Sequence, residues 1–293
     1  MLKVSNLTRT YGELKAADDI SFEVPSGHMI GFVGANGAGK TTTMRMIMGL
    51  LTPDSGRITW DDHPITRHDR ARFGYMPEER GLYPKQQILD QLSYLGRLKG
   101  ISVKAARSEA TDLLERFGLG DRVRDKLEKL SLGNQQRVQI AAALLGAPIG
   151  LILDEPFSGL DPKAIDEMAS LLAHRPAQGV PVLFSSHQLD LIDRLCDGLV
   201  ILHDGHVVAS GTRAELETTG RIRHRIVLAG DAGWLRDLAD IRVEDVDGNT
   251  ALFELLAPGA EQRILTAALE RGNVLEFAVV RPTLSEIYRE VAA

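Results

Sequence analysis

One octapeptide constrains this chain more than any other feature. Gly34-Ala35-Asn36-Gly37-Ala38-Gly39-Lys40-Thr41 has the spacing G-x-x-x-x-G-K-[ST]. It follows the apolar stretch Met29 to Val33, read as a strand, and opens Lys40 to Leu51, read as a helix that stops before the turn cluster Thr52-Pro53-Asp54-Ser55-Gly56. In a strand–loop–helix frame of this kind, backbone N–H groups converge at a helix N-terminus, where the dipole favours an anion. Gly34, Asn36, Gly37, Ala38, Gly39 and Thr42 then surround a phosphate. Lys40 adds a point charge at the β- and γ-phosphates, and the Thr41 hydroxyl is a candidate Mg2+ ligand. The expected fold class is α/β.

The rest of the chain supplies the partner such a loop needs. Leu151-Ile152-Leu153 is an apolar strand ending in Asp154-Glu155, and a parallel strand presents its C-terminal end to the ligand crevice. Asp154 is placed to hold the metal, and Glu155 to orient or deprotonate a water. Leu2 to Leu7 and Ile20 to Val24 alternate at strand period around Tyr11-Gly12 and read as an antiparallel sheet. From about Pro84 to Leu130 helical periodicity takes over, with Ile88, Leu92, Leu95 and Leu98 on one face, so a helical subdomain interrupts the α/β core. Helices Gln135 to Leu145, Pro162 to Ala173 and Leu189 to Leu195 then alternate with strands Ile149 to Leu153, Pro181 to Ser185, Gly198 to His203 and His206 to Ser210, which argues for a largely parallel sheet. Beyond Gly220 the expected order is strand Arg223 to Leu228, helix Ala232 to Ala239, strands Ile241 to Val246 and Ala251 to Leu255, helix Gly259 to Arg271 and strand Val274 to Val280. That is a split βαβ pattern, closed by helix Thr283 to Val291.

Composition narrows the partners. Acidic residues outnumber basic ones 40 to 34, a net charge of −6, so the chain repels phosphate backbones and nucleic acid is not an expected partner. The single cysteine, Cys196, excludes a disulfide framework and fits a reducing compartment. The longest apolar run, Ile140 to Leu153, contains Pro148 and falls short of the ~20 residues of a membrane helix, so direct membrane insertion is not expected. His203 and His206 flank an Asp204-Gly205 turn and read as turn chemistry, while Met44, Met46 and Met48 read as core packing. The cluster Arg221 to Arg225 reads as a solvated linker and strand edge.

Between and after these motifs the sequence becomes specific. Leu130-Ser131-Leu132-Gly133-Asn134-Gln135-Gln136-Arg137 resembles the signature sequence of ATP-binding cassette ATPases, and Ser158-Gly159-Leu160-Asp161 resembles their D-loop. His187, after Ser185-Ser186, stands where their switch histidine stands, and Tyr11 where their aromatic residue stacks on adenine. The similarity spans about residues 1 to 217. It implies a P-loop NTPase with a RecA-like core, an antiparallel β subdomain and the helical insertion, using ATP and Mg2+. It also implies two cassettes, identical or related, paired head to tail. Ser131, Gly133 and Asp161 then join the nucleotide-binding set, with Ser131 and Gly133 of one copy closing over the ATP of the other. His187 would donate to the γ-phosphate beside Glu155 and Lys40. The chain departs from the family pattern at Glu78, where a glutamine is usual and where an oxygen still faces the metal, and at Leu132 and Asn134 in the signature.

Pro282-Thr283-Leu284-Ser285-Glu286-Ile287-Tyr288 resembles the closing motif of the accessory domain on cassettes of ABC-2 type exporters, and Pro77-Glu78-Glu79-Arg80-Gly81-Leu82-Tyr83 resembles their sodium-export-like branch. The resemblance implies a nucleotide-binding domain over residues 1–217 and a small α+β accessory domain over 218–293. It implies an ATPase that powers export of a drug, ion or lipid-like cargo through a separate membrane permease. Such a subunit is cytoplasmic and peripheral on the inner face of the membrane. Two other readings stand beside it: a soluble cassette ATPase of translation or repair without a membrane partner, and a P-loop kinase.

Overall fold

The alternation at the N-terminus extends further than its strongest stretches. In the computed structural model, which describes residues 1–79, 81–219 and 221–292, β1 (Leu2–Tyr11) and β2 (Leu14–Val24) pair antiparallel from Leu2 opposite Val24 to Tyr11 opposite Leu14. Arg80, inside the Pro77–Tyr83 run, and Gly220 lie outside the described residues. Chain contacts divide the molecule into Met1–Arg213 with Tyr288–Ala293, and Ala214–Ile287.

In the first unit β4 (Ser55–Trp60) and β5 (His63–Pro64) complete a four-stranded sheet in the order β2-β1-β4-β5. A second sheet runs β10-β9-β3-β8-β7-β6, from β3 (Met29–Gly34), β6 (Gly74–Met76), β7 (Leu151–Leu153), β8 (Val182–Ser185), β9 (Gly198–His203) and β10 (His206–Thr212). Its pairs are parallel apart from the β9–β10 hairpin, as the alternation of strands and helices requires. β3, β7 and β8 are buried along their whole length, which is why they read as continuous apolar runs.

Helix α1 (Lys40–Ile47) packs Met44, Met46 and Ile47 among Leu2, Ile20, Phe22 and Phe32, so one core joins the two sheets and fixes the loop before α1. The expected run to Leu51 ends early because Gly49 takes a left-handed φ of 71° while the Leu50 N–H returns to the Arg45 carbonyl. α2 (Arg67–Arg72) is started by a capping box between Thr66 and Asp69. α3 (Ile88–Leu98) and α4 (Val103–Arg116) form the helical insertion, and α5 (Leu132–Leu144) returns from it. α5 begins before the expected Gln135 because Ser131 caps it, its hydroxyl accepting the Asn134 N–H. α6 (Pro162–Ala173), capped by Asp161, and α7 (Leu189–Leu195) follow.

After α8 (Arg213–Thr219), the second unit holds a four-stranded antiparallel sheet in the order β12-β13-β11-β14. Its strands are β11 (Arg223–Leu228), β12 (Ile241–Asp247), β13 (Thr250–Leu255) and β14 (Val274–Val280), with α9 (Ala260–Arg271) packed by Ile264 and Ala268. The last helix, α10 (Leu284–Ala292), is divided between the two units after Ile287. Two expectations fail here. The helix expected over Ala232 to Ala239 is a single 3-10 turn, Gly233–Asp237: the Asp231 carboxylate takes the Gly233 N–H and the Leu235 N–H closes on Ala232 three residues back. β11 is a central strand and not an edge, paired with β13 on one side and β14 on the other, so His224 is buried and not solvated.

Candidate active site

The loop between β3 and α1 sits at the C-terminal edge of the parallel sheet, where β3, β7 and β8 deliver their ends together. Gly39 adopts φ 101°, and a Cβ there would lie 2.2 Å from the Ala16 carbonyl oxygen; at Gly34, φ 157°, a Cβ would lie 2.5 Å from that of Leu202. Both positions therefore demand glycine. The Lys40 ammonium bends back over the loop, donating to the carbonyls of Gly34 at 2.7 Å and Ala35 at 3.0 Å.

A cleft of about 210 Å³ opens over this loop, lined by Ala16, Asn36, Gly37, Gly39, Lys40, Thr41, Thr42, Glu78, Asp154 and Glu155. Three carboxylates and one ammonium thus meet in one small space. Burial pushes the Lys40 pKa down, and the charges of Glu155, Asp154 and Glu78 hold it up. The Thr41 hydroxyl donates to Glu78 Oε2 at 3.3 Å, so Glu78 does reach the loop from the segment after β6.

Asp154 and Glu155 are sequence neighbours with different surroundings. Asp154 is 1% exposed; one oxygen accepts the Ser185 hydroxyl at 2.7 Å, and the other is buried without a hydrogen-bond partner. An orphaned buried carboxylate oxygen is costly unless a cation or donor arrives. Glu155 has φ 50°, a conformation few side-chain-bearing residues adopt, held by its N–H to the Ser185 hydroxyl at 2.7 Å. Its carboxylate meets His187 Nδ1 at 3.0 Å. Burial raises the Glu155 pKa, against the opposing pull of His187 and Lys40. Glu155 and His187 also line an adjoining cavity of about 540 Å³ together with Gly34, Asn36, Leu132, Ser158 and Gly159.

Lys40, Thr41, Glu78, Asp154, Glu155 and His187 therefore converge within one chain. Five other sequence-derived positions do not line either cavity: Ala38 is buried within the loop, Tyr11 stands at the β1–β2 turn, Ser131 and Gly133 at the start of α5, and the Asp161 carboxylate caps α6 by accepting the Ala164 N–H at 2.9 Å. Two organising residues went unassigned in the sequence. Ser185 joins Asp154 to Glu155, and the Gln136 amide, 8% exposed, donates to the carbonyls of Glu155 at 3.1 Å and Pro156 at 3.0 Å, tying α5 to the carboxylate loop. Both stand inside motifs already singled out, yet their partners lie tens of residues away. Leu132 leans on Gly159: a Cβ at Gly159 would come within 2.9 Å of its Cδ2.

The donor set fits a hard divalent cation. Among the described residues no three His, Cys, Asp or Glu side chains gather to hold a metal by themselves. The orphaned Asp154 oxygen, the Thr41 hydroxyl and Glu78 form an incomplete, oxygen-only set of the kind that suits a hard cation such as Mg2+.

The family model described as ABC transporter matches residues 17–158, and that described as ATP-binding protein DrrA1-3-like, C-terminal domain, matches residues 213–292. An uncharacterized ABC transporter ATP-binding protein of Bacillus subtilis, YhaQ, is 38% identical over 99% of this chain and 98% of its own length. The daunorubicin resistance ATP-binding protein DrrA3 of Streptomyces coeruleorubidus is 34% identical over 98% of this chain and 94% of its own. Among solved structures, the dimeric post-hydrolysis state of the ATP-binding cassette MJ0796 bound to ADP and Pi superposes with a TM-score of 0.67 at 25% identity, covering 72% of this chain and 98% of that one.

Proposed function

The chain belongs to the ABC transporter family as an ATP-binding subunit and ATPase, and from that premise we propose that it drives export of a drug-like, ionic or lipid-like cargo through a separate membrane permease. The observation that carries the catalytic half is the meeting of a buried, cation-hungry Asp154 with a Glu155–His187 pair over one glycine loop. In this reading the loop N–H groups and Lys40 take the β- and γ-phosphates, releasing Lys40 from the Gly34 and Ala35 carbonyls. Asp154, Thr41 and Glu78 would hold Mg2+, whose charge would offset that of the phosphates. Glu155, its basicity raised by burial, accepts the proton of the attacking water, and His187 orients that carboxylate and donates toward the γ-phosphate. Tyr11 carries the adenine. Ser131, Gly133 and Asp161 serve the nucleotide across a head-to-tail pair of cassettes, identical or related.

The transport half is supported by a second surface. A cavity of about 460 Å³ between β6 and the helical insertion is lined by Phe73, Tyr75, Met76, Leu82, Leu95 and Leu98. Leu98 is 66% exposed, and both amide atoms of the buried Gln139 at its floor have no partner. An apolar cleft with an unsatisfied amide suits a protein segment. No helix among the described residues is long and apolar enough to cross a membrane; in this reading a separate permease makes the crossing and holds the chain at the inner membrane face. DrrA3 bears daunorubicin resistance in its name, and the match of residues 213–292 to a DrrA1-3-like domain favours a drug-like cargo.

The test is affinity capture of tagged Glu155→Gln protein from detergent-solubilised native membranes with Mg2+ and ATP. A polytopic membrane protein is expected to co-elute and to be lost with Leu98→Arg. Recovery of ribosomes, or of nothing membrane-bound, would remove transport and leave the ATPase.

A further inference from the structure

We propose that Arg9 is a positioning residue for the base of the nucleotide: its guanidinium backs one face of the Tyr11 ring and leaves the other face for a purine. The inference rests on the nucleotide reading above. Arg9 and Tyr11 stand two apart on β1 and so project from the same side of the strand. The Arg9 Cζ lies 5.1 Å from the Tyr11 ring centroid, within the range at which a cation is held by an aromatic face.

The guanidinium is anchored from behind. Its Nη1 donates to Asp54 Oδ1 at 2.7 Å and to the Thr52 carbonyl at 3.2 Å, and the other Asp54 oxygen accepts the Thr10 N–H at 2.7 Å. One carboxylate from the turn after α1 therefore holds both Arg9 and the backbone between Arg9 and Tyr11. The Arg9 side chain is 27% exposed, whereas Tyr11 is 48% exposed, as a ring with one covered and one open face would be.

The hairpin puts that open face at a useful distance. Tyr11 pairs with Leu14, and Ala16, two residues further along β2, lines the phosphate cleft. At ~3.3 Å per residue along a strand and ~5 Å between strands, the Tyr11 backbone stands on the order of 10 Å from that of Ala16. That is the reach of a sugar and its first phosphate. A ring already fixed on one face loses little freedom when a base lands on the other. The cation also draws electron density from the ring, which favours the large, electron-rich π-face of a purine over a pyrimidine.

The experiment measures binding of ATP, CTP and inorganic tripolyphosphate, each with Mg2+, to the full chain by calorimetry, for the wild type, Arg9→Ala, Arg9→Lys, Tyr11→Ala and the Arg9→Ala/Tyr11→Ala pair. Arg9→Ala is expected to weaken ATP about 3- to 10-fold, to leave tripolyphosphate unchanged and to narrow the preference for ATP over CTP. The loss falls on KM for ATP, Arg9→Lys restores most of it, and Arg9→Ala adds nothing once Tyr11 is alanine. Equal weakening of ATP and tripolyphosphate would overturn the proposal, because Arg9 would then act only by holding the hairpin. So would unchanged ATP affinity, or a full additional loss in the double variant. A wild-type chain that binds neither ATP nor tripolyphosphate overturns the nucleotide reading itself, an outcome distinct from the others.

Discussion

At the scale of single residues, the site works through contrast between neighbours. Asp154 is nearly sealed and keeps one oxygen without a partner, while Glu155 turns through a left-handed backbone so that its carboxylate faces His187. Two acids at the end of a strand are visible in any sequence. Their division of labour depends on Ser185, which donates to one and receives the N–H of the other. Glu155→Gln keeps the shape and the His187 contact but removes the base. Its phosphate release is expected to fall by about 10²- to 10⁴-fold while ATP affinity is retained, measured by phosphate release and nucleotide titration on the same protein. An equal loss of binding and turnover would show that Glu155 supports the loop and not the attack on water.

At the scale of elements, β11 shows how pattern reading goes astray. Arg221, Arg223 and Arg225 suggest a solvated edge, yet the strand is central: Arg225 pairs with Glu276 and Arg223 with Glu286 on one face, while His224 stacks between Phe253 and Phe277 at 5.9 Å and 5.8 Å on the other. Ion pairs to the neighbouring strand and to the last helix let charges sit mid-sheet, and no sequence rule for edges anticipates them. His224 Nδ1 is buried without a partner, and burial lowers its pKa against the opposing charge of Glu261. The unfolded chain therefore binds the proton more readily than the folded one. The stability His224 contributes is complete above its ordinary value of 6.5 and is lost as pH falls through the lowered one. Thermal unfolding followed through Trp234, in a Trp60→Phe background, should drop in midpoint below about pH 6.5. His224→Phe should flatten that dependence; an unchanged slope would assign it to other groups.

For the whole molecule, the signature residues stand at the N-terminus of α5, and Ser131 and Gly133 line neither cavity of their own chain. In the proposed head-to-tail pairing they serve the nucleotide of the partner cassette. Gln136 and Leu132 bind that helix start to the carboxylate loop and to Gly159, so closure on a partner's nucleotide would be felt at Glu155. Glu155→Gln protein with ATP is expected to elute as a dimer in size exclusion, against a monomer without nucleotide. Adding Ser131→Arg, which sets a bulky cation at the start of α5, should restore the monomer. A Ser131→Arg protein that still dimerises would place the interface elsewhere.

Sequence alone determined whatever is contiguous: the glycine loop between β3 and α1, the acid pair closing β7, the helical insertion, and the alternation of strands and helices that makes the main sheet largely parallel. These follow from local periodicity, turn chemistry and short spacings, which act over one element and its neighbour. Tertiary structure alone decided the contacts that cross long stretches of chain: Ser185 on Asp154, Gln136 on the Glu155 carbonyl, Arg9 behind Tyr11 through Asp54, and His224 within an aromatic core. A side chain's partner across a sheet is set by register and by which face the fold buries, and neither is encoded in the residues immediately around it.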